Sequence, residues 1–205
     1  MTAQQLGFTA CVAALIYMTA CSSVSTDVAA GRNALQTGRP NDAVGYLRRA
    51  ADLDPDYKTP DRVPERVLTY LGRAYYETGD DAGARQTLEK AVSMHRDDPL
   101  AHLYLGLALL RGGERERGRK EIEEGLKAIV DTLDYIAEDR VYGFYWDPGM
   151  TIRNDVKKTL APMLNDTDLA LAAQYVGQEF DAEIDRARRD ETRSRFSGSG
   201  GDGGS

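Results

Sequence analysis

Leu68–Ala91 reads LTYLGRAYYETGDDAGARQTLEKA. Leu68, Leu71, Gly72 and Tyr75 recur at three- and four-residue steps, which places them on one face of a helix. Gly79 follows, a residue free to take positive φ and end that helix. Asp80 or Asp81 can cap a second helix, whose inner face carries Ala84, Leu88 and Ala91. Gly72 and Ala84 are small where the two helices would approach, and Leu71, Tyr75 and Leu88 fill the space around them. The stretch therefore predicts a hairpin of two antiparallel helices.

The same landmarks occur twice more. Upstream, Ala30, Gly31 and Ala34 precede Gly38, followed by Ala43, Leu47 and Ala50, with Pro55 closing the unit. Downstream, Leu105, Gly106 and Leu109 precede Gly113, followed by Gly118, Ile122 and Gly125. In each copy the turn glycine lies seven residues after the first-helix glycine (31 to 38, 72 to 79, 106 to 113). The second and third copies stand 34 residues apart (72 to 106) and the first and second 41 (31 to 72), so an insertion near Tyr57–Pro64 separates the first two.

This pattern resembles the tetratricopeptide repeat, W-x2-L-G-x2-Y followed by A-x3-F. Leu68 stands in the Trp slot, and the third copy has Gly118 and Gly125 where Ala is usual. Gly inside a helix costs ~1 kcal/mol relative to Ala. That second helix is therefore either looser or closely approached by another backbone. The resemblance implies an all-α, tetratricopeptide-type α-solenoid of three helix–turn–helix repeats, about 27–57, 65–98 and 99–128, within residues 27–128. A C-terminal helical extension, 129–196, would cap it. The tail, 197–205, is Gly, Ser and one Asp and predicts disorder.

Such solenoids hold other proteins in a groove lined by their first helices. Counting along the repeat places Arg66, Thr69, Arg73 and Tyr76 on the groove side of the second unit. Arg32 holds the place in the first unit that Arg73 holds in the second, one residue after Gly31 and Gly72. Arg offers a planar fork and Tyr a large contact area at small entropy cost. Two readings stand: a basic strip for a carboxylate or acidic peptide, or arginines paired with nearby Asp and Glu.

Leu100–Arg111, LAHLYLGLALLR, is apolar nearly all round, which is the pattern of a helix buried on every side. Its groove side would carry Leu103, Leu107 and Leu110, so the chain's own C-terminal part, or a partner, must cover them. A long helix over Glu114–Asp139 follows from Ile122, Leu126, Ile129, Leu133 and Ile136. Asp147-Pro148-Gly149 then signals a turn, within an aromatic loop 142–149. Tyr142, Phe144, Tyr145 and Trp146 crowd four aromatics into five positions. They read as a cover for the leucine surface, as a partner-binding hot spot, or as a stacking platform for sugar rings. Two helices end the chain. The second carries Leu169, Ala172, Val176, Phe180 and Ile184, with Asp166 or Thr167 as its cap and Arg186, Arg188 and Arg189 near its end.

Residues 1–20 hold no charged side chain, and Gly7–Ala20 is an apolar run of 14. That is short for a membrane span and suits a signal-peptide core. It ends in Met18-Thr19-Ala20-Cys21, which resembles the bacterial lipobox. The resemblance implies that residues 1–20 are removed, that Cys21 is acylated, and that 21–26 is a short tether. Ser22 lacks the Asp that often retains such proteins at the inner membrane, so the resemblance favours the periplasmic face of the outer membrane. Of two cysteines, Cys11 would leave with the signal peptide, so the mature chain would have no thiol. The lipid bilayer, through Cys21, and a protein of the cell envelope are the partners this implies.

Net charge is −7, which argues against nonspecific nucleic-acid binding, since that needs a basic face. Catalysis finds no motif: no G-x-S-x-G, Walker loop or dinucleotide fingerprint occurs. The two histidines, His95 and His102, match no metal-ligand spacing along the chain, and His102 sits in the Trp slot of the third repeat. No enzyme, cofactor or metal site is expected. The alternative function is a glycan-binding or export module that uses the aromatic loop.

Overall fold

The computed structural model describes residues 23–161 and 164–198. The expected signal peptide and the expected acylation site, Cys21, lie outside the described residues, as do residues 199–205 of the expected tail. Eight α-helices and one 3-10 turn make up the described fold: α1 Val24–Gln36, α2 Pro40–Leu53, α3 Val67–Thr78, α4 Asp81–Met94, α5 Pro99–Arg111, α6 Arg115–Ala137, the turn Gly143–Tyr145, α7 Thr151–Thr159 and α8 Asp166–Gly198. Among the described residues no helix is long and apolar enough to cross a membrane.

Helices α1/α2, α3/α4 and α5/α6 form three consecutive hairpins, each packed on the next. This is an all-α solenoid of the tetratricopeptide type. The turn glycines Gly38, Gly79 and Gly113 all take left-handed backbone, with φ of 69°, 81° and 87°. A side chain there would strain the turn. The helix–helix contact is shared as well. A Cβ added at Gly31 would stand 2.4 Å from Leu47 Cγ, at Gly72 2.4 Å from Leu88 Cγ, and at Gly106 2.7 Å from Ile122 Cγ1. One glycine against one branched apolar residue thus sets each hairpin.

The third hairpin closes further, and this decides the two readings of its glycines. A Cβ at Gly118 would lie 2.8 Å from Leu110 N, and one at Gly125 2.6 Å from Leu103 N and 2.8 Å from Pro99 O. The backbones of α5 and α6 touch directly, so this helix is closely approached and not loose.

Local sequence sets the element ends. The Ser23 side chain caps α1 by accepting from Thr26 N at 3.2 Å, so the expected tether through Thr26 already contains the first helical turn. Asp80 caps α4 through Gly83 N at 2.9 Å. Asn165, rather than Asp166 or Thr167, accepts from Asp168 N at 2.9 Å and starts α8. The insertion between the first two repeats folds on itself: Thr59 N donates to Glu65 O at 3.1 Å and Val67 N to Tyr57 O at 3.1 Å.

Helix α6 runs without a break through position 128, so the third repeat and the C-terminal extension share it. Helix α8 also outruns its expected end. Arg186, Arg188 and Arg189 lie in its middle, where Arg186 pairs with Glu183 and Arg188 with Glu65 and Asp61 across the fold. Ion pairs, rather than a helix terminus, account for two of the three. Leu169, Ala173, Val176, Phe180, Ile184 and Ala187 form its buried stripe. It packs on α5 across the inner side of the repeats, while α7 packs against α6 and α8.

Candidate functional site

The inner face of the solenoid is where a repeat protein of this class holds a ligand. Here α8 lies in it. A Cβ at Gly177 of α8 would stand 2.7 Å from Leu103 Cδ2 of α5, so the two helices meet closely. Leu103 and Leu107 are buried, and Leu110 packs towards Gly118 of α6. The cover over Leu103 is thus α8. The aromatic stretch, expected to cover the leucine surface, packs instead against α6 and α8.

The centre of the groove is polar. Asp181 of α8 is 2% exposed and accepts from four donors, the weakest being Gln36 Nε2 on Oδ2 at 3.4 Å. Tyr70 OH donates to its Oδ1 at 2.6 Å, Arg32 Nη2 to Oδ1 at 2.9 Å, and Arg73 Nη1 to Oδ2 at 3.1 Å. Arg32 also pairs with Asp185 at 3.1 Å and Glu65 at 2.7 Å. Gln36 joins from α1, donating to Asp185 Oδ2 at 2.5 Å. Arg32 lies over the Tyr70 ring at 5.1 Å and Arg73 over the Tyr104 ring at 5.3 Å.

Electrostatics explain how a buried carboxylate persists. Burial disfavours the charged Asp181, but Arg32, Arg73 and the Tyr70 hydroxyl outweigh it and hold the carboxyl below the usual range. Burial pushes the Tyr70 hydroxyl well up, and Asp181 beside it adds to that. Glu65 goes the other way: burial raises its carboxyl despite Arg32 and Arg188.

The five residues assigned to the groove are all buried and fall into three environments. Arg32 and Arg73 converge on Asp181. Arg66 and Thr69 turn towards the start of α5, where Thr69 Oγ1 donates to Asp98 Oδ2 at 2.6 Å and Arg66 stands 3.6 Å from Asp98 and 3.5 Å from Asp97. Tyr76 lies edge-on to Tyr104 at 5.9 Å with Arg111 over its ring at 3.6 Å. An open groove formed by all five is therefore corrected. Arg32 and Arg73 are occupied by α8 and the other three by α5 and the residues before it, and of the two readings of the arginines, pairing with Asp and Glu is the arrangement present. Tyr70, Glu65, Asp181 and Asp185 are the members that sequence reasoning missed. The one available signal was Asp181 and Asp185 one helical turn apart, beside the apolar Phe180 and Ile184.

The aromatic loop divides. Trp146 is buried and its indole N–H donates to Glu191 Oε1 at 2.8 Å, so it offers no open ring face to a sugar. Tyr142 carries Arg62 over its ring at 5.1 Å. Phe144 is 62% exposed, with its ring centre 4.0 Å from that of Tyr145. Asp147 and Met150 hold positive φ, 46° and 53°, conformations that non-glycine residues seldom adopt. Asp147 is locked by accepting from Ile152 N at 3.0 Å and Arg153 N at 3.2 Å, and by its own N–H on Glu183. This holds Met150, 55% exposed, on the rim of a cleft of about 490 Å³ that Phe144 and Trp146 also line.

The fold and the groove thus define a helical-repeat scaffold with an internal occupant. A family model described as "Tetratricopeptide repeat" matches residues 34–103, from the end of α1 into α5. Among known proteins, "Tetratricopeptide repeat protein 13" of Homo sapiens is 29% identical over 97 residues. That alignment covers 47% of this chain and 10% of the human protein, so the chain spans about a tenth of that relative's length. Repeats of this class act in general as protein-binding scaffolds and are generally non-catalytic.

Proposed function

We propose that this chain is a lipid-anchored adaptor on the periplasmic face of a bacterial outer membrane. It would join a protein partner of the cell envelope through the Phe144/Met150 cleft, with the inner groove closed. The anchor rests on the sequence Gly7–Cys21 alone. One observation carries the choice of surface. The groove residues are engaged within the chain, Arg32 and Arg73 by α8 and Arg66, Thr69 and Tyr76 by α5 and the residues just before it, whereas Phe144 and Met150 stand exposed on a loop whose uncommon backbone is fixed by buried hydrogen bonds. A rigid aromatic next to a pocket is the form of an interface hot spot. Strained backbone persists where surrounding structure over-determines it, and it clusters at functional sites.

Two experiments test this. Cys21→Ala is expected to move the protein from the membrane to the soluble fraction and to leave the precursor unprocessed. Membrane retention of Cys21→Ala to the wild-type extent contradicts the anchor. For the partner, cross-linked purification from solubilised membranes is compared between wild type and Phe144→Ala/Met150→Ala. Loss of a specific wild-type partner, with unchanged helix content, is expected. A partner retained in full by that variant rules out this surface.

A further inference from the structure

A second polar cluster lies apart from both the groove and the aromatic loop. His102 of α5 is 8% exposed. Its Nε2 lies 3.1 Å from the carbonyl oxygen of Arg96. A carbonyl only accepts, so Nε2 carries a hydrogen, which leaves Nδ1 as the ring nitrogen that can ligate. Nδ1 faces Glu121 Oε2 at 2.7 Å and Glu124 Oε2 at 3.6 Å, both from α6. Nδ1 and a carboxylate oxygen this close are held together either by a proton on Nδ1 or by a metal ion that both ligate. The structure assigns this place to a divalent metal ion, and we propose a zinc site of His102, Glu121 and Glu124.

The donor set fits. One imidazole nitrogen and two carboxylates are ordinary zinc ligands, at about 2.0–2.2 Å from the ion. The three ligand atoms already lie within 4.8 Å of one another. Glu124 needs little movement; the Glu121 oxygen must draw back by roughly half an ångström to reach tetrahedral spacing. A ligating histidine commonly donates its other N–H to a backbone carbonyl, which fixes tautomer and ring orientation. Arg96 O does this here. Glu124 is partly exposed, which leaves a coordination position open to water. Of the nearby cations, Arg117 pairs with Glu89 at 2.8 Å, and Lys120 stands 3.6 Å from Glu124 Oε1, the oxygen of that ligand other than the one nearest His102. Linear spacing conceals the site because its ligands come from two helices, 19 residues apart at the closest pair.

The bland occupant of the same gap is a proton, giving an imidazolium–Glu121 pair. The experiment separates the two. Chelator-treated, purified full chain is titrated with Zn²⁺ against a chromophoric competitor. One zinc per chain is expected. His102→Ala and Glu124→Gln should each weaken it at least tenfold, and His95→Ala should leave it unchanged. Glu124→Gln keeps the His102 packing, so it reports on the site even if His102→Ala unfolds. No uptake by wild type, or equal affinity in Glu124→Gln and wild type, overturns the proposal and leaves His102 with a proton only.

Discussion

Asp181→Ala is expected to destabilise the protein by about 3–5 kcal/mol, the cost of breaking a buried ion pair from one side. The side chain removed is 2% exposed and accepts from Arg32, Arg73, Tyr70 and Gln36. Arg73 would keep Glu77 at 2.7 Å, and Arg32 would keep Glu65 and Asp185. The Tyr70 hydroxyl would keep nothing among the bonds described. Since small domains unfold with about 5–15 kcal/mol, this one change removes a large share of the total. Urea denaturation followed by circular dichroism measures it. A loss below about 1 kcal/mol, the scale of an exposed pair, would mean that the groove is wet and α8 loosely seated.

The same residue sets a pH dependence, and its sign is fixed. The folded carboxyl titrates below the unfolded one. Its contribution is therefore complete above the unfolded value of about 3.9 and disappears as pH falls through the lower folded value. Asp181→Asn should flatten the acid limb of the stability curve in that window. Glu65, whose carboxyl is raised by burial, contributes with the opposite sign and remains in the variant.

Gly125→Ala is the second large effect, and here the sign carries the information. At an ordinary helical position the change stabilises by about 1 kcal/mol. At 125 the new Cβ would meet Leu103 N at 2.6 Å and Pro99 O at 2.8 Å, backbone atoms that cannot rotate away. The α5–α6 crossing must open, and overpacking of this kind costs about 1–3 kcal/mol. Net destabilisation is expected. Gly45→Ala is the internal control. Gly45 sits in α2 with nothing within 4 Å of the added Cβ, so that variant should gain about 0.5–1 kcal/mol. Paired thermal melts decide the matter. Equal, favourable shifts at both positions would show that α5 and α6 do not touch through their backbones.

The repeat was legible in the sequence because it depends on local spacing. Gly31, Gly72 and Gly106, each seven residues before a turn glycine, record contacts made within about 16 residues (Gly31 with Leu47, Gly72 with Leu88, Gly106 with Ile122). The groove was legible only by position. Arg32 and Arg73 could be placed on the inner face by counting, but their partner Asp181 lies 149 and 108 residues away. No periodicity links such residues. The aromatic loop misled for a related reason. Four aromatics in five positions read as one patch, while the backbone around Asp147 turns Trp146 inward to Glu191 and leaves Phe144 outside. The end of α8 was missed because Arg186–Arg189 reads as a terminal basic cluster. In the folded protein Arg186 meets Glu183 and Asp190 along the helix, and Arg188 reaches across to Glu65.

Closure of the inner groove by α8 is the claim on which the choice of partner surface depends. Hydrogen–deuterium exchange of the purified protein, resolved by peptide, tests it most directly. If α8 is part of the core, amides around Ala173–Ala187 exchange as slowly as those of α5, through global unfolding. If those amides exchange orders of magnitude faster while α3 and α5 stay protected, α8 leaves the groove on its own. Arg32, Arg73 and Tyr70 would then face solvent, and the inner face, rather than the Phe144/Met150 cleft, would be the binding surface.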